Sequence, residues 1–247
     1  MKKRNAAALL LTLGLTVSGN GMVFAAEQVP EAPAETSHVS RIVSFTDYTG
    51  MRVTYDANVS QQYVYEVEEG ILKAVRWKEA AGEEGEASET VKFEGNVELK
   101  QPEEGEKYTS VAADVFGDNQ LITYVKLPAG VTTVAKESFK GCTALKSVYL
   151  PSTVNRIEDD AFEGCTDMTQ ICLPKAVTAI GDNAFKGNTA LQTVQIRDVE
   201  ESQLASVGAH AFAGCRDLQQ ITIPQTAAVG EGAFEDGTTV TAEEQAQ

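Results

Sequence analysis

Four cysteines and two histidines hold most of the nucleophilic and metal-binding potential of this sequence: Cys142, Cys165, Cys172, Cys215, His38 and His210. A thiol serves as a hydrolytic nucleophile only beside a general base, and a structural zinc site needs four nitrogen or sulfur ligands at short paired spacings. Neither arrangement is spelled out here. Asp159, Asp160 and Asp182 could gather around calcium, yet no glycine-punctuated loop of several oxygen ligands accompanies them, and they read as a solvated edge. Leu150-Pro151-Ser152-Thr153 has the look of a wall-sorting signal. Val154 follows it and no apolar tail comes after, so sorting by that route is not expected. What stands out instead is that Cys142 and Cys165 are 23 residues apart.

That interval recurs along the chain and decides which elements must position everything else. Phenylalanine stands at Phe116, Phe139, Phe162, Phe185, Phe212 and Phe234, with spacings of 23, 23, 23, 27 and 22. Five residues before each ring is a branched apolar residue: Val111, Val134, Ile157, Ile180, Val207 and Val229. Nine and eleven residues after the first five rings come Val125 and Leu127, Val148 and Leu150, Ile171 and Leu173, Val194 and Ile196, Ile221 and Ile223. A spacing of two puts both members on one face of a strand. Pro128, Pro151, Pro174 and Pro224 follow four of these pairs, and each removes a main-chain donor where the strand ends. Gly141, Gly164, Gly187 and Gly214 follow the rings by two residues, where a turn needs a positive φ. The pattern predicts one short parallel strand per coil. A single coil cannot bury enough apolar surface to offset the entropy of ordering 23 residues, so stability must come from stacking.

The run from Ala161 to Pro174, Ala-Phe-Glu-Gly-Cys-Thr-Asp-Met-Thr-Gln-Ile-Cys-Leu-Pro, resembles the BspA-type leucine-rich repeat, as do Ser138 to Pro151 and Ala211 to Pro224. The resemblance extends over about residues 110 to 241. It implies an α/β-type solenoid of about five to six 23-residue coils with a parallel β-ladder, preceded by a small antiparallel β region. It also implies an exported or surface-associated bacterial protein, similar in some cases to adhesins. It supplies no catalytic residue and no cofactor.

The repeat assigns the chemistry-bearing residues to positions. Cys142, Cys165 and Cys215 share one position, which suits a small buried apolar side chain, and Asn188 interrupts the series. Cys142 and Cys165 could approach closely enough for a bridge, but free buried thiols are the expectation. Cys172 falls between Ile171 and Leu173 and so on the outer strand face, where it would be either accessible or merely tolerated. His210 takes the position held elsewhere by Glu137, Asp160 and Asn183, a solvent position, so no catalytic role is expected for it. No metal site is expected either.

The outer strand face carries the binding candidates Tyr124, Lys126, Tyr149, Gln170, Cys172, Gln195 and Thr222, with Ser147, Thr193 and Gln220 beside them. Four extra residues between Ile196 and Phe212 predict a protruding acidic loop over Arg197 to Gln203. Lys140, Glu163 and Lys186 each follow a ring, so one coil of rise should stack them as a ladder of alternating charge about 5 Å apart.

The remaining segments set compartment and context. Lys2, Lys3 and Arg4, an apolar run from Ala6 to Val17, and Val23-Phe24-Ala25 read as residues 1–25 of a secretory signal, cleaved after Ala25. The apolar run is broken too early to span a membrane, and no membrane insertion is expected. Residues 26–37 read as a disordered spacer, 38–100 as a small β-rich domain or cap, 101–241 as the solenoid and 242–247 as a polar tail. Within the β-rich part, Arg41 to Phe45, Met51 to Tyr55, Tyr63 to Val67 and Ile71 to Trp77 suggest an antiparallel meander, and Ala80 to Ser88 a linker. Asn96 to Lys100 has the alternation of a degenerate first strand. The full chain has a net charge of -16, and removing residues 1–25 leaves 17 basic against 36 acidic residues, or -19. Such a surface repels nucleic acid and anionic lipid; it is read first as serving solubility outside the cell and second as favouring cationic ligands. The expected partner is an extracellular protein or glycan; the alternative is a structural extracellular domain without a high-affinity ligand.

Overall fold

The computed structural model describes residues 42–46, 52–56, 63–77 and 93–244, and all of them belong to one compact unit, His38–Gln247. The signal and spacer expected before residue 38, and the linker expected over Ala80 to Ser88, lie outside the described residues. Among the described residues, no helix is long and apolar enough to cross a membrane.

The chain begins with two hairpins rather than one meander. Strands β1 (Ile42–Thr46) and β2 (Arg52–Asp56) pair antiparallel, as do β3 (Tyr63–Glu68) and β4 (Ile71–Trp77). The second hairpin turns through Glu69 (φ 52°) and Gly70 (φ 74°), left-handed conformations suited to a tight two-residue turn. After β5 (Gly95–Glu98), β6 (Ser110–Val111) runs parallel to β4 and ties this hairpin to the coils. A four-residue helical turn, Ala113–Phe116, follows.

Two strands then alternate in every coil: β7 (Ile122–Lys126), β8 (Thr133–Val134), β9 (Ser147–Tyr149), β10 (Arg156–Ile157), β11 (Gln170–Leu173) and β12 (Ala179–Ile180). The series continues through β13 (Thr193–Ile196), β14 (Ser206–Val207), β15 (Gln220–Pro224), β16 (Ala228–Val229) and β17 (Thr239–Glu243). The odd strands from β7 to β15 are those read from the apolar pairs, while β17 follows the last ring without one. The even strands form a second parallel ladder that the periodicity did not announce, because two-residue strands leave no alternation to read. This second ladder is also the continuous one: β8, β10, β12, β14 and β16 form a single sheet, whereas the odd strands divide into β5-β7-β9, β11-β13 and β15-β17.

The rings stack as the spacing predicts. Neighbouring centroids from Phe116 to Phe234 are 5.0 to 5.4 Å apart with planes within 11° of parallel. A ring not singled out from the sequence, Phe93, extends the stack at 5.1 Å but tilted by 46°. It stands 23 residues before Phe116, so the period itself identifies it. Beside the rings a third main-chain ladder joins the coils: the Phe139 N–H donates to Ala161 O (2.9 Å), Phe162 to Ala184 (2.8 Å), Phe185 to Ala211 (2.7 Å) and Phe212 to Ala233 (2.7 Å). Further buried columns not read from the sequence complete the core: Ile122, Leu145, Met168, Leu191 and Leu218, with Val131, Val154, Val177 and Leu204. Two expected core residues differ, and one is Phe234, which is only partly buried. The other, Val229, is 48 % exposed, since β16 is the edge of its sheet and nothing stacks beyond it among the described residues.

The shared cysteine position has a polar duty that its burial alone would not suggest. The Cys142, Cys165 and Cys215 thiols donate to the carbonyls of Phe116, Phe139 and Phe185, each in the preceding coil, at 3.0, 3.1 and 3.1 Å. Asn119 Nδ2 makes the same contact to Phe93 O at 3.0 Å. Asn188, fully buried, instead accepts from the Cys165 N–H at 2.9 Å. Such side chains supply donors to carbonyls that the turn would otherwise bury without a partner. All four cysteines are buried and none is in a disulfide. Burial pushes the Cys142 and Cys215 thiols up to about 12 and raises Cys165 as well.

The charge ladder is also present. Glu163 reaches Lys140 at 2.9 Å and Lys186 at 3.7 Å, and Glu137 adds a contact to Lys140 at 3.7 Å. Exposed pairs contribute only about 0.2 to 1 kcal/mol each. Glu163→Lys replaces both attractions by repulsion and should lower stability by about 1 to 2 kcal/mol, an effect that shrinks in high salt. A denaturant midpoint equal to wild type at low salt would contradict this. The thiols give a second check. Because the thiolate is the reactive form, Cys142 and Cys215 should stay unmodified in native protein alkylated at pH 8, while unfolding without reductant should expose four reactive cysteines by intact mass. Fewer than four would mean that a bridge forms.

Candidate ligand-binding face

Residues eight and ten positions after each ring project away from the core because strand side chains alternate. They include every binding candidate named from the sequence, and the structure separates them by burial. Toward the N-terminal end, Tyr124 is only 3 % exposed, Cys172 2 %, and Ser147 is buried too. Cys172 is therefore not an accessible thiol. Lys126 is held by Glu98 of the preceding coil at 2.7 Å, and Tyr149 and Gln170 are half-buried. Toward the C-terminal end, Thr193, Gln195 and Gln220 are exposed and Thr222 is half-buried. The open part of this face is thus the pair β13 and β15.

Here the odd ladder is interrupted. β13 and β15 lie side by side in different sheets, and a groove of about 460 Å³ lies over them. Thr193 and Gln195 line it from β13, Gln220 and Thr222 from β15, with Val199 and Glu243 at its margins. Sequence reasoning missed Glu243, whereas Val199 falls within the insertion Arg197 to Gln203 that it singled out. Glu243 comes from β17, which lies parallel to β15 and brings it level with Pro224. Val199 comes from the four-residue insertion.

The insertion is less free than a protruding loop. It begins at Asp198 in a left-handed conformation (φ 47°), makes a turn of 3-10 helix over Val199–Glu201, and tucks Ser202 and Leu204 inside. Lys175 of the preceding coil holds it: its ammonium pairs with Glu201 and lies 3.9 Å from Asp198, while its carbonyl accepts from the Gln203 N–H at 2.8 Å. The hydrogen bond to Glu201 raises the Lys175 pKa and, reciprocally, lowers that of Glu201. A second cavity of about 360 Å³, bordered by Pro174, Lys175, Arg197 and Gln203, lies against the same insertion.

The acidic and histidine candidates take structural roles. Asp159 Oδ1 accepts from the Asp182 N–H at 2.9 Å, and Asp182 Oδ1 from the Ala209 N–H at 2.7 Å, so each carboxylate caps the next coil. Among the described residues, no group of three or more histidines, cysteines and acids is placed to hold a metal ion. His210 is exposed with φ 55°, matching Glu137 (60°), Asp160 (56°) and Asn183 (54°) at the same turn. That position selects for left-handed backbone rather than for chemistry. Among the described residues the thiols are buried and His210 faces solvent, so no thiol meets a histidine there.

The BspA type leucine rich repeat region family model matches residues 109–241 in six copies. No curated protein matches the chain. Among solved structures, the T. pallidum leucine rich repeat protein is similar at 19 % identity and a TM-score of 0.54, covering 74 % of this chain and 84 % of that one. A leucine rich cell surface protein from Faecalibacterium prausnitzii is similar at 20 % identity and a TM-score of 0.50, covering 82 % of this chain and 55 % of that one. The pneumococcal vaccine antigen PcpA is similar at 21 % identity and a TM-score of 0.53, with 72 % of this chain and 46 % of that one covered. At these identities the structural likenesses establish a shared fold. The six matched repeats extend over more than half of the chain, and with the stacked coils they show that it belongs to the BspA-type leucine-rich repeat family.

Proposed function

We propose that the protein is an exported, non-catalytic binding module that engages an extracellular partner through the groove over β13 and β15. The observation that carries this reading is the uncharged set Thr193, Gln195 and Gln220, exposed, and Thr222, half-buried, all held on paired strands and none part of the buried core. Side chains that stacking does not require are where such a scaffold acquires specificity. Export rests on the signal-like residues 1–25, and surface association is consistent with the cell surface protein among its structural neighbours. Tyr149, Lys126 and Gln170 extend the candidate face toward the N-terminal coils.

The test is a screen of the chain from residue 26 onward against matrix proteins and cell-wall polymers. For a partner found there, Gln195→Ala combined with Thr222→Ala should weaken binding at least tenfold without altering the circular dichroism. Tyr124→Ala combined with Tyr149→Ala should perturb the fold as well as binding, because Tyr124 is buried. If the Gln195 and Thr222 variant binds as tightly as wild type, the contact lies elsewhere on the solenoid.

A further inference from the structure

The groove is selective in what it offers. Three features narrow the chemistry of its occupant. Its outward side chains are amides and hydroxyls, which both donate and accept, and so match the alternating N–H and C=O groups of a peptide main chain. Thr193 and Gln195 are two residues apart on β13, as Gln220 and Thr222 are on β15, which places each pair at about 6.6 Å, the same repeat as alternate residues of an extended peptide. The lining holds no basic side chain to meet a phosphate, sulfate or uronate, and no aromatic ring to lie against the apolar face of a sugar.

The only charged side chain among the lining residues is Glu243, and the apolar Val199 also borders the groove. A carboxylate together with an aliphatic surface suits a lysine or arginine, whose head pairs while its stem packs. The net charge of -16 adds a long-range field that draws cations and repels anions. On the reading that this groove is the binding site, we infer that its occupant is an extended polypeptide segment bearing a lysine or arginine that pairs with Glu243.

Fluorescence anisotropy on the chain from residue 26 onward tests this with four probes. They are a labelled nonapeptide alternating lysine and threonine, the same peptide with glutamate for lysine, the same with glutamine for lysine, and a neutral cell-wall oligosaccharide. The lysine peptide should bind at least tenfold more tightly than the other three at low salt. Glu243→Gln should reduce its affinity at least fivefold, and Glu104→Gln, an exposed carboxylate outside the groove, should leave it nearly unchanged. Gln195→Ala should weaken the lysine and glutamine peptides alike. Equal losses for the Glu243 and Glu104 variants would mean a diffuse charge effect and overturn the inference. So would the absence of any binding of the lysine peptide to wild type. Tighter binding of the oligosaccharide, lost in Gln195→Ala, would overturn the peptide assignment while preserving the groove as the site. Binding of any probe that is untouched by both groove substitutions would instead remove the groove itself.

Discussion

Parallel strands sit about 4.8 Å apart, and every other contact in the solenoid has to be made at that rise. The rings accept it by stacking in offset, near-parallel fashion at 5.0 to 5.4 Å, a favourable aromatic geometry beyond the area it buries. The same rise brings the lysine, glutamate and lysine of successive coils into contact and aligns the turn beside each ring for a main-chain hydrogen bond. A coil out of register would lose several of these at once, which makes the stack cooperative. It also restricts where extra residues can be accommodated. The insertion lies between the end of β13 and the start of β14, off both ladders, and leaves the Phe185 to Phe212 contact at 5.0 Å.

Close stacking creates a polar problem of its own. Carbonyls at the ring turns face inward, and a buried acceptor without a donor costs about 1 to 3 kcal/mol. Thiols solve it compactly, since a cysteine is small and apolar enough for the core and still carries a weak donor. The asparagine at residue 119 fills the same place with a stronger donor, and the carboxylates at 159 and 182 perform the corresponding service for main-chain N–H groups at another corner. The side chains of Cys142, Cys165, Cys215, Asp159 and Asp182 are thus engaged in holding coils together.

Burial along the strand face differs from one end of the ladder to the other. The interrupted pairing between β13 and β15 coincides with the insertion that supplies Val199 and with β17, which supplies Glu243. The groove is therefore assembled from three departures from the ideal repeat. A scaffold made of identical coils would present only a regular strip of strand, so the groove exists because these coils are irregular.

The sequence by itself determined the period, the ring column, the apolar strand pairs, the glycine turns and the charge ladder. A residue repeated every 23 positions must occupy the same place in every coil, whatever that place is. It also located Cys142, Cys165 and Cys215 in one buried column, and it found the insertion but read it as protruding, whereas Lys175 holds it against the preceding coil. Only the tertiary structure decided the second ladder, because strands of two residues carry no pattern of their own. The burial of Tyr124 and Cys172 on a face that alternation assigns to solvent was likewise decided there. So was the groove, whose lining residues come from β13, the insertion, β15 and β17. Periodicity reports which residues are equivalent between coils; it does not report what lies across them, and the groove is made of those unequal neighbours.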